Sequence, residues 1–248
     1  VIVENEIHVW IADLRCDPTQ ARALSATLSQ DERERGSKLK SKQSRDQFTV
    51  ARGALRDILS RYLGTPPGRI GFSYNQHGKP ALSEAQTRNS LRFNLSHSQD
   101  LTLYAIARGR DVGVDVEYVR ASHAGLTIAK HFFSPHELAA LQALSPVLRT
   151  EAFFRYWTRK EAFLKGLGEG LTRAPQRFAV SLRPNEPVVL LDESADAKAF
   201  SRWTLADLSL GSEWLARYVA ALAVDGPIPA IRYFRYTPAD VAAAADAA

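Results

Sequence analysis

Methionine is missing from all 248 residues, and cysteine occurs once, at Cys16. A single thiol cannot close an internal disulfide and cannot build a metal site from several cysteines. The chain is therefore expected in a reducing, cytoplasmic setting. No run approaches the roughly 20 apolar residues that a helix needs to cross a bilayer, so no membrane partner is expected. The chain opens on Val1 with no secretory signal pattern, and its natural start is expected to have been removed or replaced. Neither sign of charge dominates. The formal net charge is +5, with 24% charged and 45% apolar residues. That is an ordinary soluble composition, with apolar content for one large domain or two small ones.

The positive excess is local. Arg33, Arg35, Lys38, Lys40, Lys42, Arg45, Arg52 and Arg56 outnumber the acids between residues 33 and 61. Such a stretch reads as a solvated helix surface or as a face for acidic partners: nucleic acid, a phosphorylated cofactor, an acidic protein. It lacks aromatic residues interleaved as stacking platforms, which weighs against nucleic acid.

Periodicity predicts a strand over residues 6–14 and a helix over 29–63, with Phe48, Leu55, Ile58 and Leu59 as its apolar stripe. Ile70, Phe72 and Tyr74 alternate toward a turn at 75–78, as in a strand leaving for a loop. Strands follow at 91–98 and 101–107, and Arg108-Gly109-Arg110-Asp111 reads as a hairpin turn into a fourth at 112–117. Helices are expected over 122–132, then from the capping box Ser134-Pro135-His136-Glu137 through Leu144, then over 149–165. Short strands are expected at 178–182, 188–191, 203–207, 218–224 and 231–236, and residues 239–248 are an alanine-rich segment. Strands and helices mix without strict alternation, so the class is α+β.

The chemistry concentrates in Val112-Gly113-Val114-Asp115-Val116-Glu117 and in Trp157 through Lys165. On a strand, Asp115 and Glu117 share a face about 7 Å apart at Cα, opposite the valines. Taken alone, that is also the pattern of an edge strand with wet carboxylates. Gly113 lies on the same face and clears space for something to approach. On a helix, Glu161 and Lys165 stand one turn apart; the bland reading is a surface ion pair of about 0.2–0.5 kcal/mol. Trp157, one turn earlier on the stripe, favours a cleft instead. Carboxylates gathered in one volume repel unless a cation sits among them, and such a cation commonly grips phosphate oxygens. The expected chemistry is phosphoryl-type, on a diphosphate. Asn94-Leu95-Ser96-His97-Ser98 ends a strand in hydrogen-bonding groups, where His97 alone would more often be structural. Lys79 sits on a loop stiffened by Pro80, by itself a common turn. Glu137 is accounted for by its cap.

Taken together, Gly78-Lys79-Pro80, Phe93 through Ser98, Val112 through Glu117, Phe132-Phe133-Ser134-Pro135-His136-Glu137, and Trp157 through Lys165 with Gly168-Glu169-Gly170-Leu171 resemble the broad-specificity 4′-phosphopantetheinyl transferases. The resemblance spans about residues 30 to 175, with five motifs in family order. It implies two similar α+β lobes related by pseudo-twofold symmetry, residues 1–110 and 111–225, with a tail at 226–248 and a cofactor cleft between the lobes. Coenzyme A is the implied co-substrate and Mg²⁺ the implied ion, held by Asp115, Glu117 and Glu161. Lys165 would contact phosphate and help the leaving group depart. His97, Ser96, Lys79 and Pro80 would hold the adenosine 3′-phosphate end, with Arg35 and Arg45 as further cations. Glu161 would accept the proton, directly or through a metal-bound water. The implied partners are apo acyl and peptidyl carrier proteins of secondary-metabolite and fatty-acid synthesis, and the implied state is a monomer. A metal-dependent phosphohydrolase acting on a nucleotide diphosphate could use the same side chains.

Overall fold

A computed structural model describes residues 2–121, 125–168, 174–181, 190–192, 201–228 and 230–238, the side chains of 87–89 and 190–192 excepted. Glu169-Gly170-Leu171, Ser122, the ends of the strands expected at 178–182 and 188–191, and residues 239–248 lie outside the described residues.

The first sheet contains β1 (Glu6–Asp13), β4 (Leu91–Ser98), β5 (Leu101–Arg108) and β11 (Ala230–Tyr236), in the order β11-β1-β5-β4. The second contains β6 (Val112–Tyr118), β9 (Trp203–Asp207) and β10 (Tyr218–Asp225), in the order β6-β10-β9. Two-stranded ribbons pair β2 (Phe72–Tyr74) with β3 (Pro80–Leu82), and β7 (Phe178–Val180) with β8 (Leu190–Asp192). The architecture is α+β, as the element pattern predicts.

Three cores stack through the molecule. The 22-residue helix α3 (Lys42–Leu63) lays Val50, Ala54, Leu55 and Ile58 against Trp10, Phe93, Tyr104 and Ile106 of the first sheet. The opposite face of that sheet, through Ile7, Val9, Leu103 and Ala105, shares a second core with Val112, Val114, Val116 and Leu222. A second 22-residue helix, α6 (Pro146–Leu167), covers the far side of the second sheet with Ala162, Phe163 and Leu164 against Leu205, Ala221 and Ala223. Alternation makes this possible, because each strand sends successive side chains to opposite layers.

Three expectations are corrected. The helix expected over 29–63 is two, α2 (Gln30–Ser37) and α3, parted at Lys38 to Ser41. Glu32 explains the break: its carboxylate reaches Arg52 at 2.8 Å and Arg56 at 2.6 Å. In one straight helix Glu32 and Arg52 would stand about 30 Å apart. Arg52 and Arg56 are consequently buried and not part of a solvated basic face. The turn expected at 75–78 is present, but the chain does not leave for a loop there: it returns as a hairpin, β2 onto β3. The turn at 108–111 does not close a hairpin: β5 and β6 belong to different sheets. The last strand, expected at 231–236 within the segment assigned to a C-terminal tail, is present: residues 230–236 run parallel to β1 from Glu6↔Ala230 to Ala12↔Tyr236 as the edge of the first sheet.

Candidate active site

The edges of the two sheets meet where β4 lies beside β6. No ladder joins them; side chains of β4 satisfy the backbone of β6 instead. Asn94 Oδ1 accepts from the Val114 amide at 2.9 Å, and Ser98 Oγ accepts from the Tyr118 amide at 3.1 Å. Between these two stitches, Ser96 donates to Asp115 at 2.7 Å and Ser98 donates to Glu117 at 2.8 Å. The polar face of β4 thus presents Asn94, Ser96 and Ser98 to the acids of β6, while Val112, Val114 and Val116 stay in the core behind.

Helix α6 supplies the rest, and two glycines set how close it comes. A Cβ placed on Gly113 would fall 2.0 Å from the Ala162 carbonyl oxygen and 2.3 Å from the Gly166 nitrogen. The space that Gly113 clears is filled by the backbone of α6, so the close approach expected there is that of a helix. Ala162 and Gly166 form the contact stripe, and the neighbouring stripe of the helix carries Glu161 and Lys165 to the same edge. Lys165 donates to Asp115 Oδ1 at 2.6 Å and to Ser96 Oγ at 2.7 Å. The surface-pair reading of Glu161 with Lys165 is replaced by this bond across elements. Trp157, one turn back, stacks on Phe153 and packs at a tilt against Phe132.

The electrostatics follow from crowding acids in a partly dry space. Burial, then the Asp115 and Glu117 charges, push the Glu161 carboxyl up to about 7 against the relief given by Lys165. Burial and Asp115 also raise Glu117. Asp115 is 2% exposed, and its second oxygen, Oδ2, has no hydrogen-bond partner among the described residues. A buried carboxylate oxygen without a donor asks for a cation. Among the described residues no three Asp, Glu, His or Cys side chains are closed to metal-ligating spacing. The donor set (carboxylate oxygens, one of them orphaned) fits a hard divalent ion, which Asp115, Glu117 and Glu161 would hold.

The remaining candidates are spread around this core. Lys79, at the end of the β2–β3 turn, donates to the Gly166 carbonyl at 2.7 Å, and Asn75 donates to the Gly168 carbonyl at 2.6 Å. The turn is thereby clasped to the end of α6, one residue beyond Lys165. Burial brings the Lys79 ammonium down to about 8. Pro80 follows in the wall of the same cleft, which Leu95, Leu164 and Lys165 also line. His97 alternates to the other face of β4 from Ser96 and is exposed. Desolvation of the ring and the Lys165 charge hold its pKa below the usual value. Arg35 is exposed on α2. Arg45 donates to the Leu39 and Lys40 carbonyls, so it closes the α2–α3 turn. No described contact brings either arginine to the carboxylates.

Sequence reasoning missed the β4–β6 stitching by Asn94 and Ser98, and it missed the partner of Lys160. That lysine is 3% exposed and donates to Glu137 of α5 (Pro135–Ala143) at 2.7 Å and to the Phe178 carbonyl at 2.5 Å. Glu137 does cap α5, through Ser134, but its other oxygen also accepts from the Val180 amide at 2.8 Å. Lys160 precedes Glu161, so this buried pair fixes the rotation of α6 from the side opposite the strand acids. A lysine at helical spacing from Phe153, Tyr156 and Phe163 was the available signal.

Comparison with known proteins bears on the whole chain. Residues 15–108 match a family profile described as 4′-phosphopantetheinyl transferase, N-terminal, and residues 111–223 match the 4′-phosphopantetheinyl transferase superfamily. The 4′-phosphopantetheinyl transferase HetI of Nostoc sp. is 39% identical over 91% of this chain and 90% of its own length. The 4′-phosphopantetheinyl transferase Sfp of Bacillus subtilis is 29% identical over 65% of this chain and 69% of its own. A solved ACPS–CoA complex from Chronobacterium ammoniagenes covers 46% of this chain and 95% of that one, at 23% identity and a TM-score of 0.34. With the HetI match running nearly end to end and both profiles in chain order, this chain is a transferase belonging to the 4′-phosphopantetheinyl transferase family.

Proposed function

We propose that this transferase moves the 4′-phosphopantetheine group of coenzyme A onto a serine hydroxyl of apo acyl or peptidyl carrier proteins. The observation that carries the reading is the Ser96–Asp115–Lys165 contact beside Glu117 and Glu161, with one Asp115 oxygen left unpartnered. Asp115, Glu117 and Glu161 would hold Mg²⁺. When bound, the ion would neutralise the pyrophosphate and orient it for attack.

The side chains of the chain itself divide the remaining work. Glu161 takes the proton from the carrier serine as its oxygen forms a bond to the β-phosphorus. The bond from that phosphorus to the bridging oxygen breaks, and 3′,5′-adenosine diphosphate leaves with the electron pair. Lys165, whose ammonium already stands among these oxygens, offsets the charge that builds on the leaving phosphate. Ser96 keeps Asp115 and Lys165 in register. Lys79, Pro80, His97, Arg35 and Arg45 are the proposed holders of the adenosine and 3′-phosphate end, in a cleft between residues 1–110 and 111–225. The protein forms no covalent bond, so positioning and charge supply the acceleration. We further propose that it acts as a monomer in the cytoplasm, without nucleic acid or membrane.

The test is intact-mass analysis of an apo acyl carrier protein incubated with the protein, coenzyme A and Mg²⁺. Addition of one phosphopantetheine to the carrier is expected, and Glu161→Gln should abolish it while leaving the fold intact. Release of phosphopantetheine without any carrier would instead favour the phosphohydrolase reading.

A further inference from the structure

Helix α6 is finished by side chains from the other half of the chain. A helix leaves its last four carbonyls without partners of its own. Gly168, with φ of 73°, turns the backbone out of α6, and its amide returns to the Leu164 carbonyl at 3.0 Å. Two further carbonyls are taken by the β2–β3 turn: Lys79 donates to Gly166 at 2.7 Å and Asn75 to Gly168 at 2.6 Å. A Cβ on Gly168 would lie 3.0 Å from Lys79 Cδ and 3.2 Å from Asn75 Nδ2, so this glycine lets the backbone press against both side chains.

Asn75 is committed at both ends of its side-chain amide. Oδ1 accepts from the His77 amide at 3.0 Å and from the Lys79 amide at 2.9 Å. Both are N–H donors, so the oxygen must face them and the NH₂ group must face Gly168. The main chain of Asn75 closes the same turn, donating to the Lys79 carbonyl at 3.1 Å and accepting from the Gly78 amide at 2.9 Å. Residues 73–78 are all exposed, so no core holds this turn in place. One neutral side chain therefore sets both the shape of the turn and its attachment to α6. Only asparagine offers an acceptor and a donor at this length. Serine keeps a short acceptor for the His77 amide, as in an ST-turn, but its hydroxyl cannot also reach the Gly168 carbonyl.

We propose, on the transferase reading, that Asn75 is a positioning residue for coenzyme A and acts through Lys79. It holds the Lys79 turn at a fixed distance from the helix that carries Glu161 and Lys165. The two ends of one extended ligand, 3′-phosphate and pyrophosphate, are then met by groups already in register. Without the clasp the ligand has to order the turn itself, which weakens binding. The carrier and the chemical step do not meet Asn75, so neither should feel its loss once coenzyme A is saturating.

Asn75→Ser tests this without adding charge near the phosphates. Coenzyme A affinity, by titration calorimetry on the full chain with Mg²⁺, should fall roughly threefold to tenfold, the scale of one neutral hydrogen bond. Initial rates by intact mass should show the KM for coenzyme A rising by the same factor, with kcat and the KM for the carrier unchanged. Gln76→Ala is the control in the same turn: among the described residues its side chain meets only His77, and the affinity should hold. In a Lys79→Met background Asn75→Ser should cost less than about twofold, because the group it positions is gone. Unchanged affinity in Asn75→Ser overturns the inference, as does an equal loss with and without Lys79. A fall in kcat together with the melting temperature assigns Asn75 to the fold instead and overturns it too. A wild-type protein that binds coenzyme A but modifies no carrier sinks the transferase reading alone, and the calorimetry still decides the clasp; no binding of coenzyme A overturns both.

Discussion

Replacing Gly113 by alanine adds one methyl group at the place where strand β6 and helix α6 touch, and its consequences can be worked out from the contacts. The new Cβ would stand 2.0 Å from the Ala162 oxygen, 2.3 Å from the Gly166 nitrogen and 2.7 Å from the Gly166 Cα. All three are backbone atoms, so no side chain can swing aside. The helix must withdraw by about 1 Å to reach even the shortest contact that real Cβ atoms show. It has little room to do so, because Gly166 already lies against the Trp203 ring, 2.4 Å from where a Cβ would be. Overpacking of this kind costs about 1–3 kcal/mol or more. For a chain of this size that corresponds to a fall in Tm of roughly 2–12 °C. The effect on turnover should be far larger. Glu161 and Lys165 ride on α6, and the Lys165–Asp115 contact is only 2.6 Å long. Misplacing such groups by about 1 Å lowers the rate on the order of a hundredfold. The assay is the initial rate of carrier modification by intact mass, beside thermal melting by circular dichroism. Gly68→Ala is the control, since its nearest neighbour is a Thr27 oxygen at 3.9 Å. Wild-type rate and melting in Gly113→Ala would refute the claim that this glycine sets the position of the helix.

Lys165→Ala is expected to lower turnover by about 10²–10³-fold with the melting temperature held; a fall in melting temperature with normal turnover would return the residue to a structural role. Lys160→Met strands the fully buried Glu137 carboxylate and should cost about 3–5 kcal/mol in a urea titration, with the double variant Lys160→Met/Glu137→Gln less damaged than the single. A single-variant loss under about 1 kcal/mol would contradict the pairing. Lys79, held near 8 by burial against the usual 10.5, binds fewer protons when folded than when unfolded between those values. Stability should therefore rise with pH from about 8 to 10.5 through this residue. Subtracting the pH profile of Lys79→Met from that of the wild type isolates the rise, and a flat difference would remove the desolvated lysine.

Local signals were legible and distant ones were not. The capping box at Ser134 and Glu137 is written in four consecutive residues, and the structure keeps it. The alternation of Val112, Val114 and Val116 against Asp115 and Glu117 was equally plain, because a strand has a period of two. What no window of sequence carries is the identity of a partner. Glu32 looks like one acid in a basic stretch, yet it receives Arg52 and Arg56 across a turn and splits the helix expected there. Gly113 announces a close approach without naming what approaches. His97 and Ser96 are neighbours in sequence, and the pleat sends them to opposite faces of β4. The convergence of Asp115, Glu117 and Glu161 was inferred from motifs. The structure brings them into electrostatic reach of one another, with Lys165 standing between the helix and the strand.

The parallel pairing of β11 with β1 has a consequence for how the polypeptide matures. Until residues 230–236 leave the ribosome, β1 has hydrogen-bonding groups bare along one whole side, with only β5 on the other. A nascent or clipped chain stopping short of that segment therefore exposes an open template for unwanted association. The first sheet therefore gains its edge strand only from residues synthesised after every strand of the second sheet.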